Sequence, residues 1–220
     1  MISVLIPIYN GIEFIEESVS SVLEQTFEEW ELIIGINGHP KDSDVYLIAK
    51  EYEKRNVKVR VFDFYTIKGK SDVLNEMIQY CHYDYDYVAI LDVDDIWHKD
   101  KLKIQSEYIG NYDVIGSRCI YFGDKEGTVP YIPTGDISSF DFLRVNPVIN
   151  SSTLIRKTLC FWDKKYDGVE DYDLWLRLWR GGKKFYNYSQ ILLKHRIHKT
   201  SAFNNNNANR VPELIQKYSF

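Results

Sequence analysis

An α/β fold, with a mostly parallel central sheet flanked by helices, is what this chain predicts, and three observations predict it. Short β-rich runs alternate with helix-period segments through the first half, the signature of βα units on a parallel sheet. At 220 residues the chain has the length of one domain that can bury a core on both sides of such a sheet. One of the strands runs straight into a cluster of carboxylates, and open α/β sheets bind their ligands beyond the carboxyl ends of strands.

The elements follow in order. Ile2 to Ile8 (ISVLIPI) reads as a buried strand. Gly11 to Gln25 sets Ile12, Ile15, Val19, Val22 and Leu23 on one helical face, and Glu31 to Ile36 (ELIIGI) is the second strand. Ser43 to Arg55 repeats the helix through Val45, Ile48, Ala49 and Tyr52, and Val57 to Phe62 repeats the strand. Ser71 can cap a helix carrying Val73, Leu74, Met77, Ile78 and Cys81. The strand Tyr87 to Leu91 then leads into Asp92. Beyond about residue 110 the order is mixed: short strands (YDVIGS, CIYF, STLIR), a helix from Asp171 to Arg180, and two late strands (KKFYN, ILLKHR). The run Asn204 to Asn207 is too polar for a core and is expected as a mobile loop before a last helix. The expected organisation is one domain with three parts: residues 1–98, 99–203 and a tail at 204–220.

Composition narrows the function classes. A formal net charge of −5 gives no footprint for nucleic acid or an anionic membrane, so a small soluble ligand is favoured. Cys81, Cys119 and Cys160 are odd in number and contain no CxxC pair, which excludes a disulfide framework and a thiolate zinc site and fits a reducing cytoplasm. No run approaches the ~20 apolar residues of a membrane span, and no signal peptide or membrane anchor is expected.

The most informative stretch is ILDVDD, Ile90 to Asp95, with three carboxylates in four residues. Like charges so close repel unless something positive sits among them. Hard oxygen ligands suit Mg²⁺ or Mn²⁺, and Asp92 and Asp94 can reach one ion or its waters. A solvated Asp-rich turn is the alternative reading. A calcium helix-loop-helix fits worse, because Ile96 and Trp97 fall where a ligand and a glycine are needed. A second acidic cluster, VEDYDLWLRLW, puts Asp171 in the first turn of a helix that buries Leu174 and Leu178. There Glu170, Asp171 and Asp173 can complement the helix dipole or do chemistry.

With VLIPIYN, ELIIGINGHPKD, KGKSDVLNEMI, ILDVDDIW, VINSSTLIRK, GVEDYDLWLRL and HRIHKTS in this order, the chain resembles the family 2 glycosyltransferases over nearly its whole length. The resemblance implies a GT-A fold, with a nucleotide-binding first half and a mixed acceptor-binding second half. It also implies inverting transfer of a sugar from a nucleoside-diphosphate sugar, UDP-sugar first, to a glycan or glycoconjugate acceptor. By resemblance Asp92, Asp94 and His198 hold Mn²⁺ or Mg²⁺, and Asp171 is the catalytic base. The nucleotide sugar is contacted by Pro7, Tyr9, Asn10, Asn37, Lys70, Asp72, Asp92 and Val93. Asp95, Trp97, Ser152 and Glu170 contact the sugar or acceptor, with plain core packing the other reading of Trp97.

Two segments depart from the family pattern. Ile36 and Asn37 stand before Gly38 where a pair of aspartates is usual, and an amide both donates and accepts, which weakens the uridine assignment. Leu74 stands where an arginine precedes Asn75, so Lys70 or Asp72 is expected to substitute. Among other classes, a sugar nucleotidyltransferase needs a glycine-rich phosphate loop after the first strand, and a dinucleotide oxidoreductase needs GxGxxG; PIYNGIEFI supplies neither. A catalytically inactive sugar- or nucleotide-binding protein is the remaining alternative, and the joint presence of Asp92, Asp94 and Asp171 argues against it. Sugar, acceptor and oligomeric state are not written in the sequence.

Overall fold

The structure, a computed structural model, describes residues 1–199 and 210–219. The tract at 204–207, expected as a mobile loop, lies outside the described residues. Among the described residues nine strands form one sheet in the order β3-β2-β1-β4-β8-β6-β9-β5, with β7 (Gly135–Asp136) joined to β9. The parallel half consists of β1 (Ile2–Ile8), β2 (Trp30–Asn37), β3 (Val59–Phe64) and β4 (Tyr87–Ile90). The mixed half contains β5 (Ile96–Trp97), β6 (Val114–Gly123), β8 (Leu154–Arg156) and β9 (Phe185–Ile197). The two halves join where β8 runs antiparallel between β4 and β6.

Strand periodicity explains the layering. Side chains alternate across a strand, so β1 sends Val4, Ile6 and Ile8 to one core and Leu5 to the other. The first core is closed by α1 (Ile15–Leu23), α2 (Asp44–Arg55) and α4 (Lys101–Ser106). The second is closed by α3 (Lys70–Met77), α5 (Glu170–Arg180) and α6 (Val211–Tyr218). Covered on both faces, β1 is buried at all seven positions, which is why its sequence reads as a continuous apolar run.

Several boundaries differ from the sequence reading. β3 begins at Val59, not Val57, because Asn56 ends α2 in an extended conformation and β3 pairs Val59 with Leu32; Val57 itself is fully exposed. The expected pairs of late strands are single long ones: β6 runs ten residues through shifts in pairing at Ser117–Cys119, and β9 runs thirteen. The polar residues that suggested breaks are accommodated there by irregular pairing. Ser71 is not the cap of α3. It lies inside the first turn and is buried, and its N–H donates to Asp167 Oδ1 at 2.9 Å. A carboxylate 96 positions away in the chain therefore caps the helix, and a Cβ on Gly69 would meet Asp167 Oδ2 at 2.4 Å.

Candidate active site

The carboxylate turn follows β4 at the edge where the parallel and mixed halves of the sheet meet, a switch point in strand order. Its backbone is fixed from the second half: Asp92 N–H donates to Ser151 Oγ at 3.1 Å, and Trp97 Nε1 donates to the Ser151 carbonyl at 2.7 Å. β5 pairs antiparallel with the end of β9, Ile96 opposite Lys194, and this register brings the HRIH segment against the aspartates.

Each aspartate carboxylate meets a different basic residue. The Lys70 ammonium donates to Asp92 Oδ1 at 2.6 Å and lies 3.6 Å from Glu170. Asp94 Oδ2 is 2.9 Å from His198 Nε2, and the Asp94 carbonyl accepts from Arg196 Nε at 2.8 Å. Asp95 is fully enclosed, its two oxygens engaged by His195 Nδ1 at 3.0 Å and by the Arg196 N–H at 2.9 Å. The positive groups demanded by three clustered carboxylates are thus Lys70, His195 and Arg196.

The electrostatics divide the turn. Burial alone would raise the pKa of Asp92, but the Lys70 ammonium overrides it and holds the carboxyl below its usual range. Asp94 is pushed up by burial and by the charges of Asp95 and Asp92. Burial would lower His195, yet Asp95, with Asp92 and Asp94 behind it, raises it to about 9, so it stays an imidazolium at neutral pH.

Opposite this turn stands the mouth of α5. Glu170 is buried and its Oε2 accepts the Gly168 N–H at 2.6 Å, while Asp171 is partly open and accepts from Asn146 Nδ2 at 3.3 Å. Burial first, and the Glu170 charge second, raise Asp171 to about 6. Lys70 opposes that rise, so its one ammonium acts on both acidic groups. Asp173 turns away into the second core, where its Oδ1 takes Lys217 Nζ and the Tyr218 hydroxyl, both at 2.9 Å.

On the nucleotide side, Tyr9 is half exposed with its ring 6.0 Å from that of His39, Asn10 is exposed, and Pro7 is buried in β1 opposite Gly35. Gly38 has φ +75° and packs under the Tyr9 ring, where a Cβ would come within 2.2 Å. Asn37 is buried and its Nδ2 donates to the Lys68 carbonyl at 3.3 Å, and Val93 is buried against Gly11.

Three positions correct the expectation. Asp95, Trp97 and Ser152, expected at the sugar or acceptor, are enclosed: Trp97 packs under the Lys101 Nζ, and Ser152 Oγ bridges the Ile149 carbonyl and the Ser117 N–H. Asp72, expected at the nucleotide, lines an open groove of about 700 Å³ with Thr66, Lys68 and Gln79, which Lys70 does not border. Ser151, Asn146, His195 and Asp167 touch the site and are not among the expected site residues. Ser151 and His195 were within reach, as they lie in the motifs VINSS and HRIHKTS, whereas Asn146 and Asp167 depend on long-range pairing.

Asp94 and His198 form a carboxylate–imidazole pair at 2.9 Å, the carboxylate of a kind that suits Mn²⁺ or Mg²⁺. Asp92 Oδ1 is held by Lys70, and among the described residues no group of three His, Cys, Asp or Glu side chains is placed to hold an ion.

A curled sheet with an acidic turn at the switch point and a carboxylate pair at a facing helix mouth defines a GT-A protein. S. aureus TarS 1–349, solved with UDP-GlcNAc, superposes with a TM-score of 0.75 at 16% identity, covering 99% of this chain and 66% of that one. The mannosyltransferase PcManGT from Pyrobaculum calidifontis, solved with GDP-Man and Mn²⁺, gives 0.69 at 14% identity over 91% and 58%. The chain thus spans about two thirds or less of these solved neighbours. Residues 3–162 match the family described as Glycosyl transferase family 2, and the chain belongs to that family. A glycosyltransferase of Methanocaldococcus jannaschii is 29% identical over 90% of this chain and 71% of its own length. An Escherichia coli relative named UDP-Glc:alpha-D-GlcNAc-diphosphoundecaprenol beta-1,3-glucosyltransferase WfgD is 26% identical over 93% and 80%.

Proposed function

We propose that this glycosyltransferase moves a sugar, with inversion, from a nucleoside-diphosphate sugar to a hydroxyl of a glycan or glycoconjugate, and that Asp171 is the base. The observation that carries this reading is Asp171 itself. It stands at the helix mouth, partly open, oriented by Asn146, with burial and Glu170 raising its pKa to about 6. A carboxylate tuned toward neutrality is suited to take a proton from an attacking hydroxyl. In a single displacement the acceptor oxygen loses its proton to Asp171 as it attacks the anomeric carbon, and the nucleoside diphosphate departs on the opposite side.

Tyr9 and Asn37 border the nucleoside, with Pro7, Asn10 and Val93 shaping the wall. Lys70 and Asp92 meet the diphosphate, and Glu170 meets the acceptor or steadies Asp171. Asp94 and His198 would hold a divalent ion together with diphosphate oxygens. Such an ion neutralises the charge of the leaving group. Asp95 supports the turn through His195 and Arg196. The names of WfgD and of the TarS complex support a UDP-sugar as donor. The setting we assign is the cytoplasm: the three cysteines are free thiols, and no described helix is long and apolar enough to cross a membrane.

The test is a thermal-shift panel of UDP-, GDP-, CDP- and dTDP-sugars with and without Mn²⁺, since a ligand that binds only the native state raises its apparent stability. Stabilisation by one donor identifies it; no shift with any of them defeats the reading. With that donor, Asp171→Asn should retain binding within about threefold and lose transfer by about 10³-fold or more. Full turnover in the variant refutes the base.

A further inference from the structure

We infer that the flank of α5, with the segment 137–146 laid along it, is a docking face for an anionic membrane surface. This face is defined by charge and exposure and requires no particular donor. The net charge of −5, which as a bulk figure speaks against an anionic membrane, is unevenly spread. From Arg144 onward the chain carries fourteen Lys and Arg against six Asp and Glu, a net of +8, while residues 1–143 carry −13. A face drawn largely from the basic third can therefore meet a negative surface that the whole molecule would not attract.

Contacts along the segment make this face one strip. The Ile137 N–H donates to the Phe185 carbonyl at 3.0 Å, the Tyr172 hydroxyl donates to the Phe142 carbonyl at 2.6 Å, and Asn146 holds Asp171 at the helix mouth. The segment thus follows α5 from the start of β9 up to the cleft, about 14 Å of helix. The Phe142 ring lies flat on Trp179 at 5.5 Å, and the Arg180 guanidinium stands 4.8 Å over the same indole. Around this aromatic centre Arg144, Arg180 and Lys184 are exposed, and Val145 beside Arg144 is 42% exposed. Phe140 and Trp179 are half-buried between them. The carboxylates of the strip are already engaged: Asp141 pairs with Arg144 at 3.3 Å, Asp136 Oδ1 takes the Ser138 N–H at 3.0 Å, and Asp113 is matched by Arg156 at 3.0 Å.

Basic side chains with aromatic and aliphatic groups between them are the chemistry of an interfacial surface, where cations reach lipid phosphates and apolar groups enter the acyl boundary. A second copy of the chain on the same face would set like charges against each other. The contact is peripheral and held by charges that salt screens. On the glycosyltransferase reading above, the strip ends at Asn146 and the proposed base, so a bilayer on this face lies next to the mouth of the cleft.

The experiment is co-sedimentation of the whole chain, without nucleotide, with vesicles of phosphatidylcholine alone or mixed with phosphatidylglycerol, in low and in high salt. Wild type should partition onto the anionic vesicles only, and high salt should release it. Replacing Arg144, Lys183 and Lys184 together by Glu should lower the partition coefficient about 100-fold or more. A matched triple variant, with Lys41, Lys54 and Lys103 replaced by Glu, changes the net charge equally at other exposed positions and should stay within about tenfold of wild type. Melting temperatures are measured alongside without vesicles. If the first triple variant melts early, Arg144→Glu alone, whose side chain is 80% exposed, carries the comparison with an expected loss of about tenfold. Equal losses in the two triple variants, equal binding to neutral vesicles, or no wild-type binding in low salt overturns the docking face. A dimer in solution that only the first triple variant disrupts assigns the face to a second copy and overturns it as well. None of these outcomes touches the nucleotide-sugar reading, which the donor panel tests separately.

Discussion

Asp171, the base proposed above, carries a cost in stability. Its folded pKa of about 6 lies above the ordinary value of 3.8. The folded state therefore favours the protonated form, and that stabilisation, complete below the unfolded value, is lost as pH rises through about 6. Replacing the side chain by a neutral amide removes the penalty. Asp171→Asn should melt higher than wild type at pH 8, by about 1–2 kcal/mol given partial solvent screening, and the difference should vanish below pH 4. Calorimetry across that range checks the sign. The proposed base must be ionised to act, so kcat should fall about tenfold per unit below pH 6 and level off above it. A flat kcat between pH 5 and pH 8 would rule Asp171 out as the titrating base. His195, held as an imidazolium up to about 9, does not titrate in that window.

At the level of elements, the site is assembled from ends. β4 ends at the acidic turn, β9 ends at the histidines, and α3 and α5 begin at Lys70 and Glu170. Each end is tied by a distant residue. Asp167 caps α3, so Asp167→Ala should cost about 1 kcal/mol of stability in urea unfolding, the usual value of a lost cap. Because α3 carries Lys70, the same variant should weaken UDP binding in EDTA; unchanged affinity would show that the cap does not position Lys70. α6 ties α5 in the same manner. Lys217 neutralises the buried Asp173, and Lys217→Met leaves that carboxylate with the Tyr218 hydroxyl alone, a loss of about 1–3 kcal/mol. Asp173 is thus a tether for the helix that presents Asp171, whereas Asp171 and Glu170, two or three positions earlier, turn to the cleft.

For the whole molecule, β1 has a core on each face, and β8 stitches the parallel half to the mixed half through β4 and β6. One cooperative unit is expected from residue 1 to the end of α6. Leu5→Ala and Ile6→Ala empty opposite cores, each costing about 2–5 kcal/mol. Each should lower a single transition seen alike by circular dichroism and by tryptophan fluorescence; two separated transitions in either variant would divide the chain. The sequence by itself determined much of this protein. Strand and helix periods up to Leu91 gave the parallel half, because buried strands and amphipathic helices write their environment into local hydrophobicity. The ordered motifs pointed to Asp92, Asp94, Asp171 and His198, and the structure puts His198 against Asp94 and sets Lys70 between Asp92 and Glu170. Only the tertiary structure decided which of the clustered acids face the cleft. Asp95 and Asp173 have the same residue type and nearly the same position as Asp94 and Asp171, yet they are buried by partners about a hundred and about forty-five positions away. Hydrogen-bond partners at such separations follow from the pairing of β5 with β9 and the packing of α6 on α5, and long-range contacts of this kind leave no local periodicity for a sequence to display.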